Sequence, residues 1–161
     1  MTGTHAAETG ARGLHGSGAV AFSTRGEYGV RFMVALARMD HGEPVSLTDI
    51  AEAEDLPRAY LEQIVGSLRD AGIIDSQRGA HGGYRLARPA NELHMGEVLR
   101  ALEGPIVPMS CLAEEGSPCN RAGSCTVAHL WSRVRDAVST ALDSFTLADL
   151  AKPGSPIAIK R

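Results

Sequence analysis

Apolar residues recur at a helical period through the first third of the chain that shows any pattern. Tyr28, Phe32, Ala35, Leu36 and Met39 share one face of a helix expected from about Thr24 to Met39, and Gly42 and Pro44 end it. Ser46, with Asp49 three residues on, is the N-cap of a second helix whose Leu47, Ile50 and Ala51 face inward. A turn through Asp55 and Leu56 leads to a third helix that starts at Pro57, a residue suited to a first turn. There Leu61, Ile64, Val65 and Leu68 form the apolar stripe, and Gly72 stops the helix. The opposite face of this helix carries Arg58, Ala59, Glu62, Gln63 and Ser67. Two helices joined by a tight turn, the second with a polar outer face, read as a helix-turn-helix.

The pattern then changes. Ile73 to Gln77 is a short strand, Gly79, Gly82 and Gly83 punctuate a loop, and Tyr84 to Ala87 is a second strand. Directly after the third helix, such a hairpin is a wing. A further helix covers about His94 to Leu102, with Met95, Val98 and Leu99 inward. An irregular Gly-, Pro- and Cys-rich stretch follows over 104–125. A long helix from about Thr126 to Phe145 then keeps one stripe: Val127, Leu130, Trp131, Val134, Val138, Ala141, Leu142 and Phe145. At 1.5 Å per residue it spans roughly 30 Å. A stripe that long on a small domain often finds part of its cover in a second subunit, the alternative being packing on its own domain, and a homodimer suits a protein that reads paired half-sites. The predicted fold is therefore mainly α with a small β-hairpin wing: a winged helix-turn-helix plus a long dimerisation helix.

Five segments follow from this pattern. Residues 1–20 form a disordered extension without apolar periodicity, in which Val20 is a candidate alternative start. Residues 21–90 form the winged helix-turn-helix, 91–125 a helix and a cysteine-rich loop, 126–150 the dimerisation helix, and 151–161 a flexible tail with Pro153, Gly154 and Pro156.

Composition narrows the chemistry. Aromatic residues make up 4% of the chain against 43% hydrophobic, so the core is aliphatic. No run of about 18 apolar residues is present, and the N-terminus lacks a basic stretch followed by an apolar one; the expected location is the cytoplasm, with no membrane partner. A net charge of −3 argues against coating nucleic acid by bulk charge. From Arg25 to Pro89 there are eight Arg and ten Asp or Glu, whereas residues 78–88 carry Arg78, Arg85 and Arg88 and no acid. The wing is thus the local basic stripe, able to meet the backbone or a narrow minor groove. Glu62 can accept from cytosine N4 and Gln63 can pair with adenine.

Cys111, Cys119 and Cys125 are the three cysteines of the chain. Clustered thiols in a reducing compartment read first as metal or redox ligands. Their spacing is wider than the paired cysteines of a zinc ribbon and favours a bulky iron–sulfur cluster over a single zinc ion or bare redox thiols. Three thiolates leave one position open. No Cys/His/Asn signature and no phosphate-binding loop points to an enzyme.

Several runs resemble the IscR/NsrR-type regulators of the Rrf superfamily: Ser23 to Arg31, Tyr60 to Ile64, Leu68 to Ile74, the wing Arg78 to Leu86, Gly96 to Gly104, and Thr146 to Leu150. The resemblance covers about residues 21–150 in unbroken order. It implies a bacterial transcription regulator, a homodimer with crossing long helices, and a cluster on the three loop cysteines. It places Ala59, Glu62 and Gln63 against the major groove and Arg78 at the wing base near the minor groove; Arg58 and His81 complete the candidate DNA-contact set. For the fourth ligand it offers two positions. In one branch a His follows the last Cys by three residues, a place held here by Ala128, with His129 one residue later. In the branch of nitric-oxide sensors an acid in the first helix of the partner subunit fills the position, and Glu27 matches it. The expected function is a DNA-binding regulator sensing nitric oxide, redox state or iron–sulfur status through a two-iron or four-iron cluster. The alternative is a cluster-free regulator of the same family that responds through thiols or a small molecule.

Overall fold

The computed structural model describes residues 22–109, 112 and 124–153. The expectations for residues 1–20, the start at Val20 and the end of the tail lie outside the described residues, as do Cys111 and Cys119.

Helix α1 runs Thr24–Met39. Ser23 caps it in extended conformation, its side chain accepting from the N–H groups of Arg25 and Gly26. Phe32, Met33 and Leu36 are wholly buried, so α1 is the central strut. It meets neighbours on two sides. Gly29 is there because the helix carrying Leu102 comes too close for a side chain: a Cβ would sit 2.1 Å from Leu102 Cδ1.

Helix α2, Leu47–Glu54, is capped by the Ser46 hydroxyl, which accepts from Asp49 N–H. It ends at Asp55 in the left-handed region, φ 51°. Pro57 then serves as N-cap of α3, Arg58–Asp70, rather than as its first residue. At the far end Gly72 N–H donates to Arg69 C=O and Ile73 N–H to Leu68 C=O. This paired closure requires Gly72 at φ 67° and buries Ile73 beside Leu68.

Strands β1, Ile74–Gln77, and β2, Gly83–Leu86, pair antiparallel with Ile74 opposite Leu86 and Ser76 opposite Tyr84. Val45, just before α2, adds an antiparallel bridge to β2 by exchanging two 2.8 Å hydrogen bonds with Tyr84. Gly83 permits that approach, since a Cβ there would lie 2.4 Å from Val45 O. The wing is thus anchored to the helix-turn-helix by backbone bonds.

A short 3-10 turn, Ala90–Glu92, precedes α4, Met95–Glu103. Helix α5 covers Ala128–Asp143 and is shorter than the helix expected to Phe145. Thr146 explains the difference. It forms a reciprocal capping box with Asp149 that starts a new helix, α6, Leu147–Ala151. Leu147 N–H also donates to Leu93 C=O, and Leu147 is wholly buried. The chain therefore folds back on α1 at Thr146, where Arg38 donates to the carbonyls of Leu150 and Ala151. Among the described residues, no helix is long and apolar enough to cross a membrane.

Candidate nucleic-acid interface and metal centre

Helix α3 presents Arg58, Ala59, Glu62 and Gln63 on one exposed face, opposite the buried Leu61, Ile64, Val65 and Leu68. Positions i, i+1, i+4 and i+5 share one side of a helix, so the four can meet one groove together. Arg58 Nε and Glu62 Oε1 are 3.4 Å apart with both side chains more than half exposed. The charge of this face is therefore internally balanced, and Gln63 is its neutral donor and acceptor.

Arg78 and His81 are exposed in the wing loop, between strand ends fixed by the Gln77–Gly83 pair. The basic stripe expected over 78–88 is weaker than it reads in the sequence. Antiparallel register sets Arg85 opposite Asp75, 3.9 Å apart, and Arg88 pairs with Glu97 on α4. Among the described residues, Arg78 is the wing arginine without a carboxylate partner. Asp75 and Glu97 lie outside residues 78–88, and strand register and helix packing bring them to the arginines.

Of the three cysteines, Cys125 is among the described residues. Cys125 is half-buried just ahead of α5, where its carbonyl accepts from Ala128 N–H at 3.4 Å. His129 is exposed in the first turn of α5. Among the described residues, no three His, Cys, Asp or Glu side chains converge on a metal site.

Glu27 is exposed in the first turn of α1. It borders a groove of about 530 Å³ whose apolar lining includes Phe22, Val30, Met95, Leu99, Leu142 and Phe145. Arg31, one turn on, is the other charged group there, and its Nε is held 3.2 Å from Glu54 of α2. The structure separates Glu27 from Cys125. Glu27 shares its groove with Leu142 and Phe145 at the C-terminal end of α5, whereas Cys125 precedes the N-terminal end. The 16 residues of α5 span about 24 Å. His129, by contrast, lies at the Cys125 end.

Helix α5 is held to its own domain at one end. Among the described residues, every hydrogen bond or ion pair from α5 to another element falls on Asp143, from Arg100 at 2.8 Å and at its carbonyl from His94 at 2.7 Å. None of its residues is buried, and Val127 and Leu130 near its start are 51% and 56% exposed. Of the apolar stripe that the sequence shows, Val127, Leu130 and Phe145 are exposed, while Trp131, Val134, Val138 and Leu142 are half-buried.

Sequence reasoning set Ser67 on the outer face of α3 and missed the links it, Ser23, Arg25 and Glu103 make between α1 and helices α3 and α4. Their signal is weak, because a polar residue at a helix end reads as an ordinary surface position.

Comparisons with known proteins agree with this geometry. The profile of the Rrf2 family, described as an iron-dependent transcriptional regulator, matches residues 22–153. The HTH-type transcriptional regulator CymR of Bacillus subtilis is 47% identical over 130 residues, which cover 80% of this chain and 88% of that protein. A solved structure described as CymR (YrzC), the global cysteine regulator of B. subtilis, superposes with a TM-score of 0.67 at 42% identity, covering 84% of this chain and 98% of that one. IscR of T. potens superposes with a TM-score of 0.66 at 37% identity, covering 88% and 93%. The chain belongs to the Rrf2 family and is a winged-helix, DNA-binding transcription regulator.

Proposed function

We propose that this regulator works as a homodimer whose DNA binding responds to an iron–sulfur cluster held by Cys111, Cys119 and Cys125 of one subunit and Glu27 of the other. The observation that carries the reading is the coincidence of three loop thiols with a family described as iron-dependent. Thiolates are soft ligands suited to iron. The donors fit: Cys125 is half-buried, and Glu27 is an exposed carboxylate with no ion-pair partner among the described residues. Separation of Glu27 from Cys125 along α5 favours completion of the site across the dimer. The uncovered stripe at Val127 and Leu130 favours the same assembly, because an exposed apolar row of this kind marks an interface.

When bound, the cluster supplies an iron whose hard carboxylate ligand exchanges readily, open to nitric oxide, oxygen or a change of redox state. The residues of the chain do the rest. Gln63 and Glu62 face base edges, Glu62 discriminating against wrong bases, while Arg78 enters the minor groove beside the wing. Arg58, Ala59 and His81 complete the contact surface. Glu27 lies on α1, the strut against which α3 packs. Its engagement or release therefore biases the relative placement of the two reading heads.

A second reading is favoured by the 47% identity to CymR: a cluster-free regulator whose cysteines or a small molecule carry the signal. One experiment separates them. Duplexes selected from random DNA by the protein are used to compare oxygen-free wild-type protein, Glu27→Ala and Cys111→Ala, each before and after nitric oxide. The cluster reading expects operator affinity to respond in wild type and to be fixed in both variants. A wild-type response that survives Glu27→Ala and metal chelation contradicts it and supports the thiol reading.

A further inference from the structure

The first turn of α1 makes polar contacts with two other helices. The Ser23 hydroxyl that caps α1 also donates to Glu103 Oε1 at 2.6 Å, and the Ser23 N–H donates to the same oxygen at 3.1 Å. Glu103 is the last residue of α4; Gly104, at φ 81°, then turns the chain toward the cysteine loop. Gly26 leaves space for this carboxylate, since a Cβ there would lie 2.4 Å from Glu103 Oε1.

Arg25 reaches the other way. One terminal nitrogen of its guanidinium donates to Ser67 Oγ on α3, one turn beyond Gln63. Its Nε is buried and has no hydrogen-bond partner. Among the described residues the guanidinium has no carboxylate beside it. One neutral hydrogen bond does not offset the desolvation of a buried cationic nitrogen left unpaired. An apolar side chain of similar length would serve stability as well or better. The arrangement costs stability and spans the gap between α1 and the reading helix.

We propose that Arg25 is a positioning residue for DNA reading. Through Ser67 it sets the seat of α3. Through the Ser23 cap, which holds its own backbone N–H at 3.1 Å, it ties that seat to Glu103, where the cysteine loop begins. The inference rests on DNA reading by α3 and is independent of whether a cluster is present.

The test uses the full chain and a duplex selected from random DNA. Arg25→Met is expected to leave the melting temperature equal or raised, to weaken binding to the selected duplex by at least about fivefold, and to leave its salt dependence unchanged. Loss of affinity with a lowered melting temperature overturns the proposal in favour of a structural role. A salt slope shallower by about 0.9 overturns it in favour of a direct phosphate contact. A double-mutant cycle then checks the link with Glu103→Gln and Ser67→Ala, which alter different helices. Each is expected to weaken binding alone, and the pair to be no weaker than the weaker single variant. Effects that multiply, or single variants that bind like wild type, overturn it. Wild-type protein that selects no duplex overturns α3 reading itself, and does so before any substitution is made.

Discussion

Replacing Glu62 with alanine changes the charge of the reading face without touching the core. Both members of the Arg58–Glu62 pair are exposed, at 60% and 57%, and sit 3.4 Å apart. An exposed pair of this kind contributes about 0–1 kcal/mol, and alanine favours a helix, so folding stability should move by less than about 0.5 kcal/mol. DNA binding should change more. The substitution takes the formal net charge from −3 to −2 per chain and releases Arg58 for a phosphate. One new phosphate contact per subunit steepens the salt dependence by about 0.9 per subunit and raises affinity for DNA of any sequence. On the proposed contact, the base facing Glu62 should also lose its discriminator, worth about 1–3 kcal/mol, or about 5- to 150-fold in preference. Fluorescence anisotropy with the selected duplex and a scrambled one, across a salt series, reads both effects. The ratio of the two affinities should fall while binding to the scrambled duplex rises. An unchanged ratio with an unchanged salt slope would refute the assignment of Glu62 to the reading face.

Other consequences are as direct. Leu130→Glu places a charge in the uncovered stripe of α5, so sedimentation equilibrium should show a dimer-to-monomer shift with far-UV circular dichroism unchanged; a variant that stays dimeric removes α5 from the interface. Gly29→Ala forces the Leu102 side chain away from its packed position and should cost about 1–3 kcal/mol in urea unfolding. Thr146→Ala removes the box that starts α6 and should cost about 1 kcal/mol, a fall of roughly 2–4 °C in melting temperature. The same box is acid-resistant: hydrogen bonds from the Thr146 hydroxyl and N–H, then from Lys152, hold Asp149 down to about 2 from 3.8. A depressed carboxyl stabilises above its unfolded value, so the α6 cap should be complete above pH 3.8 and be lost as pH falls through about 2; the Asp149 side-chain carbon shift in NMR follows it.

The parts of this fold legible in the sequence were those where one apolar stripe met a sharp stop. The stripe Leu61, Ile64, Val65, Leu68 and the stop at Gly72 delimit α3 to within a residue. Helix α5 was overrun because its stripe continues through Phe145; hydropathy does not register the Thr146–Asp149 box that restarts the chain. Close helix approaches were invisible for a related reason. Gly26, Gly29 and Gly96 carry no hydropathy signal, yet a Cβ at any of them would meet Glu103, Leu102 or Asp143. The candidate site divides in the same way. The outer face of α3 follows from helical period alone. The pairing of Arg85 with Asp75 needs the strand register, and that of Arg88 with Glu97 needs the packing of α4 beside the wing. The thiols were legible as ligands by type and clustering, and Cys111 and Cys119 lie outside the described residues. That Glu27 and Cys125 flank opposite ends of α5 needed the three-dimensional structure.

An iron–sulfur cluster on three thiols and a partner carboxylate is the proposal on which the signal response depends. Its most direct test is the visible spectrum, with iron and acid-labile sulfide content, of full-length protein purified without oxygen. A brown protein with equimolar iron and sulfide is expected, bleached by Cys111→Ala, with its absorption shifted or made labile by Glu27→Ala. A colourless protein that stays colourless after reconstitution with iron and sulfide would contradict it, leaving a thiol- or small-molecule-responsive regulator on the same winged-helix scaffold.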